Sequence, residues 1–193
     1  MSPGGLPLLL GLGLAVAYGA VLLRTWWLLT RPPRRSLGWA LGRGLAPDPG
    51  HLAVGPGGAG LRFGPLTVAS RGRRLAVWDI VGLDPEGPVM LLTHGWGESR
   101  IASLPRVAAL APLASRLICW DLPGHGDSGG ACALGLREAD DLARVVQAAG
   151  SERRLVLVGS SLGAGVSIAA AARSVPAAAV IAEGPYRFAA APA

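Results

Sequence analysis

The apolar positions of this chain fall into three regimes. From Leu6 to Leu23 ("LPLLLGLGLAVAYGAVLL") they run for 18 residues without a charge. As a helix rising 1.5 Å per residue, that run spans about 27 Å, close to the hydrocarbon thickness of a bilayer. From 32 to 60 the pattern breaks up among glycine and proline, which predicts a linker or an irregular cover. From Leu61 onward, short apolar runs alternate with stretches of helical spacing.

Within that third regime, 66–70 and 73–82 alternate polar and apolar residues and predict a hairpin. The runs 88–95, 116–121, 154–159 and 177–182 predict further short strands. Helical spacing covers 99–112, 136–149 and 162–173. In the second of these helices Leu136, Leu142, Val145, Val146 and Ala149 share one face, and Gly150 is the stop signal. Strands alternating with helices imply crossover connections. The expected fold class is therefore α/β: a mostly parallel twisted sheet with helices on both faces, preceded by one transmembrane helix. Ligands of such sheets sit at the carboxyl ends of the strands. The domain boundaries read as an anchor and basic flank at 1–31, a Gly/Pro-rich linker at 32–60, and the α/β domain over 61–193.

Charge sharpens the first regime. All 18 basic residues are arginine and the formal net charge is +6. Residues 1–75 hold nine arginines against Asp48 alone, whereas 76–193 hold nine against eleven acids. The basic excess thus lies beside the apolar run, with Trp26 and Trp27 among Arg24, Arg31, Arg34 and Arg35. Paired tryptophan next to arginine suits a membrane interface better than a nucleic-acid groove. "AVA" at 15–17 resembles a signal-peptide cleavage site, but no Lys or Arg precedes the apolar run, so an uncleaved anchor is the favoured reading. All arginines follow the span, which places the domain on the cytoplasmic side of a single-pass cell-membrane protein. The two cysteines, Cys119 and Cys132, form neither a disulfide framework nor a metal-ligand pattern.

Three segments carry candidate chemistry, each at a predicted strand end. Gly159-Ser160-Ser161-Leu162-Gly163 fits G-x-S-x-G between an apolar strand and an Ala-rich helix. A sharp strand-to-helix turn strains the central residue and exposes its side chain, which makes Ser161 the candidate nucleophile. "THGWGES" (93–99) follows another strand. There the backbone N–H of Trp96, with that of Leu162, would serve as an oxyanion hole. His94, with Gly95, reads as a shaper of this loop. "WDLPGHGDSGG" (120–130) makes a tight loop at the same edge. His125 as a base with Asp121 or Asp127 as its acid is the tempting alternative, but a loop-shaping role for His125 is preferred.

These motifs, in this order and spacing, resemble the α/β-hydrolase superfamily over about residues 61–193, and with the anchor they resemble its bacterial membrane-associated esterase, lipase and aminopeptidase-like members. The resemblance implies a serine hydrolase: Ser161 attacks an acyl ester, amide or thioester carbonyl, and Trp96 and Leu162 hold the oxyanion. It implies small-molecule or lipid-like acyl substrates, no nucleic acid, no metal and no organic cofactor. The family orders its triad serine, acid, histidine, yet His51, His94 and His125 all precede Ser161. Glu183, at the end of the sixth strand, is a candidate acid. The expectation is therefore a fragment ending after the sixth strand. Its alternatives are a non-catalytic binding protein without the triad histidine, and a minimal enzyme that uses His125.

Overall fold

Arg71 and Gly72 both adopt positive φ, 51° and 73°. Two such residues make the twisted two-residue turn that joins antiparallel strands, here β1 (Phe63–Ser70) and β2 (Arg73–Val81). The structure, a computed structural model, describes residues 5–150 and 154–185. The predicted domain's last positions, 186–193, lie outside them.

The remaining strands are β3 (Val89–Thr93), β4 (Arg116–Trp120), β5 (Leu155–Ser160) and β6 (Ala179–Glu183). They form one six-stranded sheet in the order β1-β2-β4-β3-β5-β6. β2 runs antiparallel to β4, whereas β4, β3, β5 and β6 are parallel neighbours. This is the α/β architecture expected from the alternation of apolar runs and helical spacing.

Side chains alternate faces along each strand, so each interior strand feeds two cores. Val89, Leu91, Ile118, Trp120, Leu155 and Leu157 pack on one face. That face is covered by α4 (Glu138–Ala149) and α5 (Leu162–Arg173), through Leu142, Val145, Leu162 and Val166. Met90, Leu92, Leu117, Cys119 and Val158 pack on the other, against α3 (Leu104–Leu110). The predicted helix over 99–112 is divided: a 3-10 turn at Arg100–Ser103 precedes α3 and another at Ala111–Leu113 follows it. The predicted helix over 136–149 starts two residues late. Leu134 and Gly135 take positive φ, 53° and 93°, which turns the chain and leaves Leu136 58% exposed rather than on the apolar face.

The stretch 32–60 is built as cover. Ala40, on the short helix α2 (Leu37–Leu41), is fully buried in the second core, with Trp39, Ala46, Leu52 and Val54 packed around it. Ahead of it, α1 (Gly5–Thr30) is longer than the apolar run and includes Trp26 and Trp27. Its stretch Leu9–Thr30 is long and apolar enough to cross a membrane, as is a signal sequence. Leu14 and Leu23 are more than two-thirds exposed, so no protein core receives this face.

The position of a residue in the sheet decides the cost of truncating it. Leu157 is fully buried, whereas Ile181 on β6 is 45% exposed. Leu157→Ala is expected to destabilise the fold by about 2–5 kcal/mol and Ile181→Ala by less than about 1 kcal/mol. Denaturant midpoints of the two variants check this.

Candidate active site

β5 passes into α5 through Ser161, which sits at φ 50° and ψ −113°. For a residue with a Cβ this is strained backbone. Close packing around it explains why the strain persists. A methyl group on Gly159 would strike the Gly163 backbone, and one on Gly163 would strike the carbonyl oxygens of Thr93 and His94. Glycine at both positions therefore lets the start of α5 lie directly on the end of β3. The Ser161 N–H donates to the Glu183 carbonyl at 2.8 Å, and the Ser161 carbonyl accepts from Ala164 and Gly165. The corner is thus bonded on both sides, while the Ser161 side chain is exposed.

The loop after β3 meets this serine. A methyl built on Gly95 would lie 3.4 Å from the Ser161 Cβ. Among the described residues, neither the Trp96 N–H nor the Leu162 N–H has a hydrogen-bond partner. Leu162 opens a 12-residue helix, whose first N–H groups are unpaired by construction and carry the positive end of the helix dipole. Beside them the Gly95 N–H donates to Glu98 Oε2 at 3.0 Å.

The two histidines at this edge are tied into the backbone. His94 Nε2 accepts from the Leu122 N–H at 3.0 Å, and its Nδ1 lies 2.7 Å from the Gly95 carbonyl. The first contact requires a bare Nε2, so the proton sits on Nδ1. His94 thereby links the loop after β3 to the loop after β4. His125 does the same in reverse: its Nε2 accepts from the Gly97 N–H at 3.0 Å, and its Nδ1 lies 3.1 Å from the Pro123 carbonyl. Both are neutral, with pKa values lowered to about 4, chiefly because burial disfavours the imidazolium. His125, weighed as an alternative base for Ser161, has both ring nitrogens engaged by main chain. His51 lies elsewhere, bonded to Asp48.

The carboxylates weighed with His125 are engaged too. Asp121 is buried, accepts from the Arg100 and Asp127 N–H groups at 2.6 and 2.8 Å, and pairs with the Arg100 guanidinium. Burial pushes its pKa up and the Arg100 charge opposes that push. Asp127 pairs with Arg100 at 2.6 Å. Glu183 is held by Arg106 through a bidentate ion pair, which depresses its pKa. Its partner is therefore an arginine, not a histidine.

Sequence reasoning missed Arg100. It is 7% exposed and stacks 4.5 Å from the Trp78 ring centroid while bridging Asp121 and Asp127. A lone arginine at the start of a predicted helix reads as a surface charge, and nothing local marks its burial. It also missed a contact of Trp96, whose indole Nε1 donates to the Leu29 carbonyl of α1 at 2.8 Å.

Residues 90–193 match the alpha/beta hydrolase family. Among solved structures, an esterase of Pyrococcus furiosus is 22% identical, with a TM-score of 0.64 over 83% of this chain and 57% of its own. An alpha/beta hydrolase of Sphaerobacter thermophilus is 36% identical, with a TM-score of 0.50 over 60% of this chain and 43% of its own. The thioesterase domain of the curacin biosynthetic pathway is 26% identical, with a TM-score of 0.55 over 67% and 50%. The chain thus spans about half the length of the structures it resembles. No curated protein sequence matches it.

Two outcomes follow from this geometry. The His94 and His125 pKa values lie below the unfolded value of about 6.5, so the unfolded chain binds more protons between pH 6.5 and 4. Stability from these groups is therefore complete above about pH 6.5 and is lost as pH falls toward 4. Each histidine contributes a slope of up to about 1.4 kcal/mol per pH unit. A denaturant midpoint that rises on acidification across this window would contradict the assignment. Gly163→Ala sets a Cβ against main-chain oxygens that cannot rotate away and is expected to cost about 1–3 kcal/mol or more, read as a lowered thermal midpoint.

Proposed function

We propose that this chain, which belongs to the alpha/beta hydrolase family, is a membrane-anchored serine hydrolase acting on acyl esters, with amides and thioesters as neighbouring chemistries. The observation that carries the reading is Ser161, held at positive φ between β5 and α5 with its side chain exposed beside Gly95. In this reading the Ser161 oxygen attacks the acyl carbonyl and its proton passes to a base. The N–H groups of Trp96 and Leu162 stabilise the tetrahedral oxyanion, and the dipole of α5 adds to their field. The leaving alcohol departs with that proton, and water hydrolyses the acyl-enzyme. Arg100, His94 and His125 hold the two flanking loops in register. The ring nitrogens of His94 and His125 are engaged by main chain, which supports a loop-holding role for both rather than that of the base.

The engagement of both edge histidines by main chain favours a second reading: an alpha/beta hydrolase fold that binds acyl groups at the same edge without turnover. α1 is read as an uncleaved anchor, with the arginines after it on the cytoplasmic side.

A fluorophosphonate probe applied to the full chain in membranes separates these readings. The parent is expected to label and Ser161→Ala to lose essentially all labelling. Equal labelling of both would remove Ser161 from the nucleophile role. No labelling of either would favour the binding reading.

A further inference from the structure

The end of α1 is bonded to the loops that carry the candidate site. The last carbonyls of a helix have no partner within it. Here Leu29 O accepts from the Trp96 indole at 2.8 Å, and Thr30 O accepts from the Cys132 N–H at 2.8 Å. Just beyond, the Arg34 guanidinium donates to the carbonyls of Gly126 and Ser128 at 3.3 and 3.1 Å. The loop after β3 and the loop after β4 therefore cap the helix end between them.

The apolar stretch Leu9–Thr30 is 22 residues, about 33 Å as a helix against a hydrocarbon core of about 30 Å. If its length is used to cross a bilayer, its last turn lies at the boundary. That turn and its flank carry the residues a boundary selects: exposed Trp26 and Trp27, with Arg31 stacked 5.6 Å from the Trp27 ring. Trp96 touches this turn directly and is itself 40% exposed. Gly95, its neighbour, packs on Ser161. The path from helix end to Ser161 is thus one hydrogen bond, one tryptophan side chain and one residue.

From this we propose that α1 holds the Ser161 edge of the sheet against the bilayer surface, so that its substrates are long-chain acyl esters resident in the membrane. This inference rests on the hydrolase reading above and adds the substrate class. Ester groups of membrane lipids lie at the boundary where the helix ends, so they meet this edge without leaving the membrane. The flank is arginine-rich, which suits an anionic surface. Beside the same loop, an apolar cavity of about 310 Å³ between Trp39 and Leu45 on one side and Ile101 and Leu104 on the other gives an acyl chain a wall to lie on.

The opposite end of the sheet provides the control. Arg116, the first residue of β4, donates to the carbonyls of Ala149 and Gly150 at 2.8 Å. The end of α4, with exposed Gln147, therefore lies at the strand amino ends, away from Ser161. Cys119 and Cys132 are buried with raised thiol pKa values, Cys132 at about 12, so an introduced exposed thiol can be labelled selectively.

The test uses the full chain in phosphatidylcholine–phosphatidylglycerol vesicles. A bimane label is placed on Ser161→Cys or, as a second reporter at the same edge, on Glu183→Cys. Lipids with a headgroup nitroxide are expected to quench either label several-fold more than a label on Gln147→Cys. Iodide in the water should give the reverse order. Equal lipid quenching at the two ends, or stronger quenching at Gln147→Cys, overturns the proposal. Trp96→Phe, which removes the indole donor, should lower lipid quenching at the site edge, and unchanged quenching overturns the clamp. A long-chain fluorophosphonate dissolved in the vesicles should label the parent faster than a short soluble one. Preference for the soluble probe overturns the substrate class and leaves the hydrolase reading standing. Absence of labelling by either probe defeats the hydrolase reading, while the depth result stands separately.

Discussion

The architecture of the site depends on one steric constraint. The first turn of α5 lies so close to the end of β3 that only a hydrogen fits between Gly163 and the carbonyls of Thr93 and His94. Gly159 meets the same crowding from the strand side. At this close approach the chain passes from β5 to α5 through Ser161, which is held at positive φ. The same approach brings Gly95 against Ser161, and among the described residues the Trp96 and Leu162 N–H groups have no partner. Serine, loop and donors thus meet at one backbone contact.

Polar groups behind this corner are used for rigidity. His94 and His125 each reach the other's loop through Nε2 and hold their own loop through Nδ1, in opposite senses. Arg100 ties Asp121 and Asp127 to the same edge. Such groups hold shape because their hydrogen bonds are made in a water-poor setting. A histidine bonded to main chain at both ring nitrogens offers no free nitrogen to a substrate proton.

Much of the fold was legible in the chain. The alternation at 66–70 and 73–82, the apolar runs at 88–95 and 116–121, and the Ala-rich helix after Ser161 all correspond to the elements formed there. Less legible were features set by distant partners. Leu136 has helical spacing but falls outside α4, because the positive φ of Leu134 and Gly135 turns the chain first. Residues 32–60 look like spacer by composition, yet Ala40 and Leu52 fill the second core. Their spacing carries no period because their cover is irregular. Glu183 reads from the sequence as a candidate acid at a strand end, but Arg106, 77 positions away, takes its carboxylate.

By itself the sequence determined the periodicities, the glycines around Ser161, the apolar length of α1 and the arginine excess beside it. These are local properties: each is written in neighbouring residues and needs no knowledge of what packs against them. Tertiary structure alone decided which polar groups are consumed and which are free, and that the end of α1 is capped by the loops of the candidate site. Those outcomes depend on pairs far apart in the chain, such as Leu29 with Trp96 and Arg100 with Asp121. No local pattern specifies such pairs, because the sheet brings them together only after every strand has found its place.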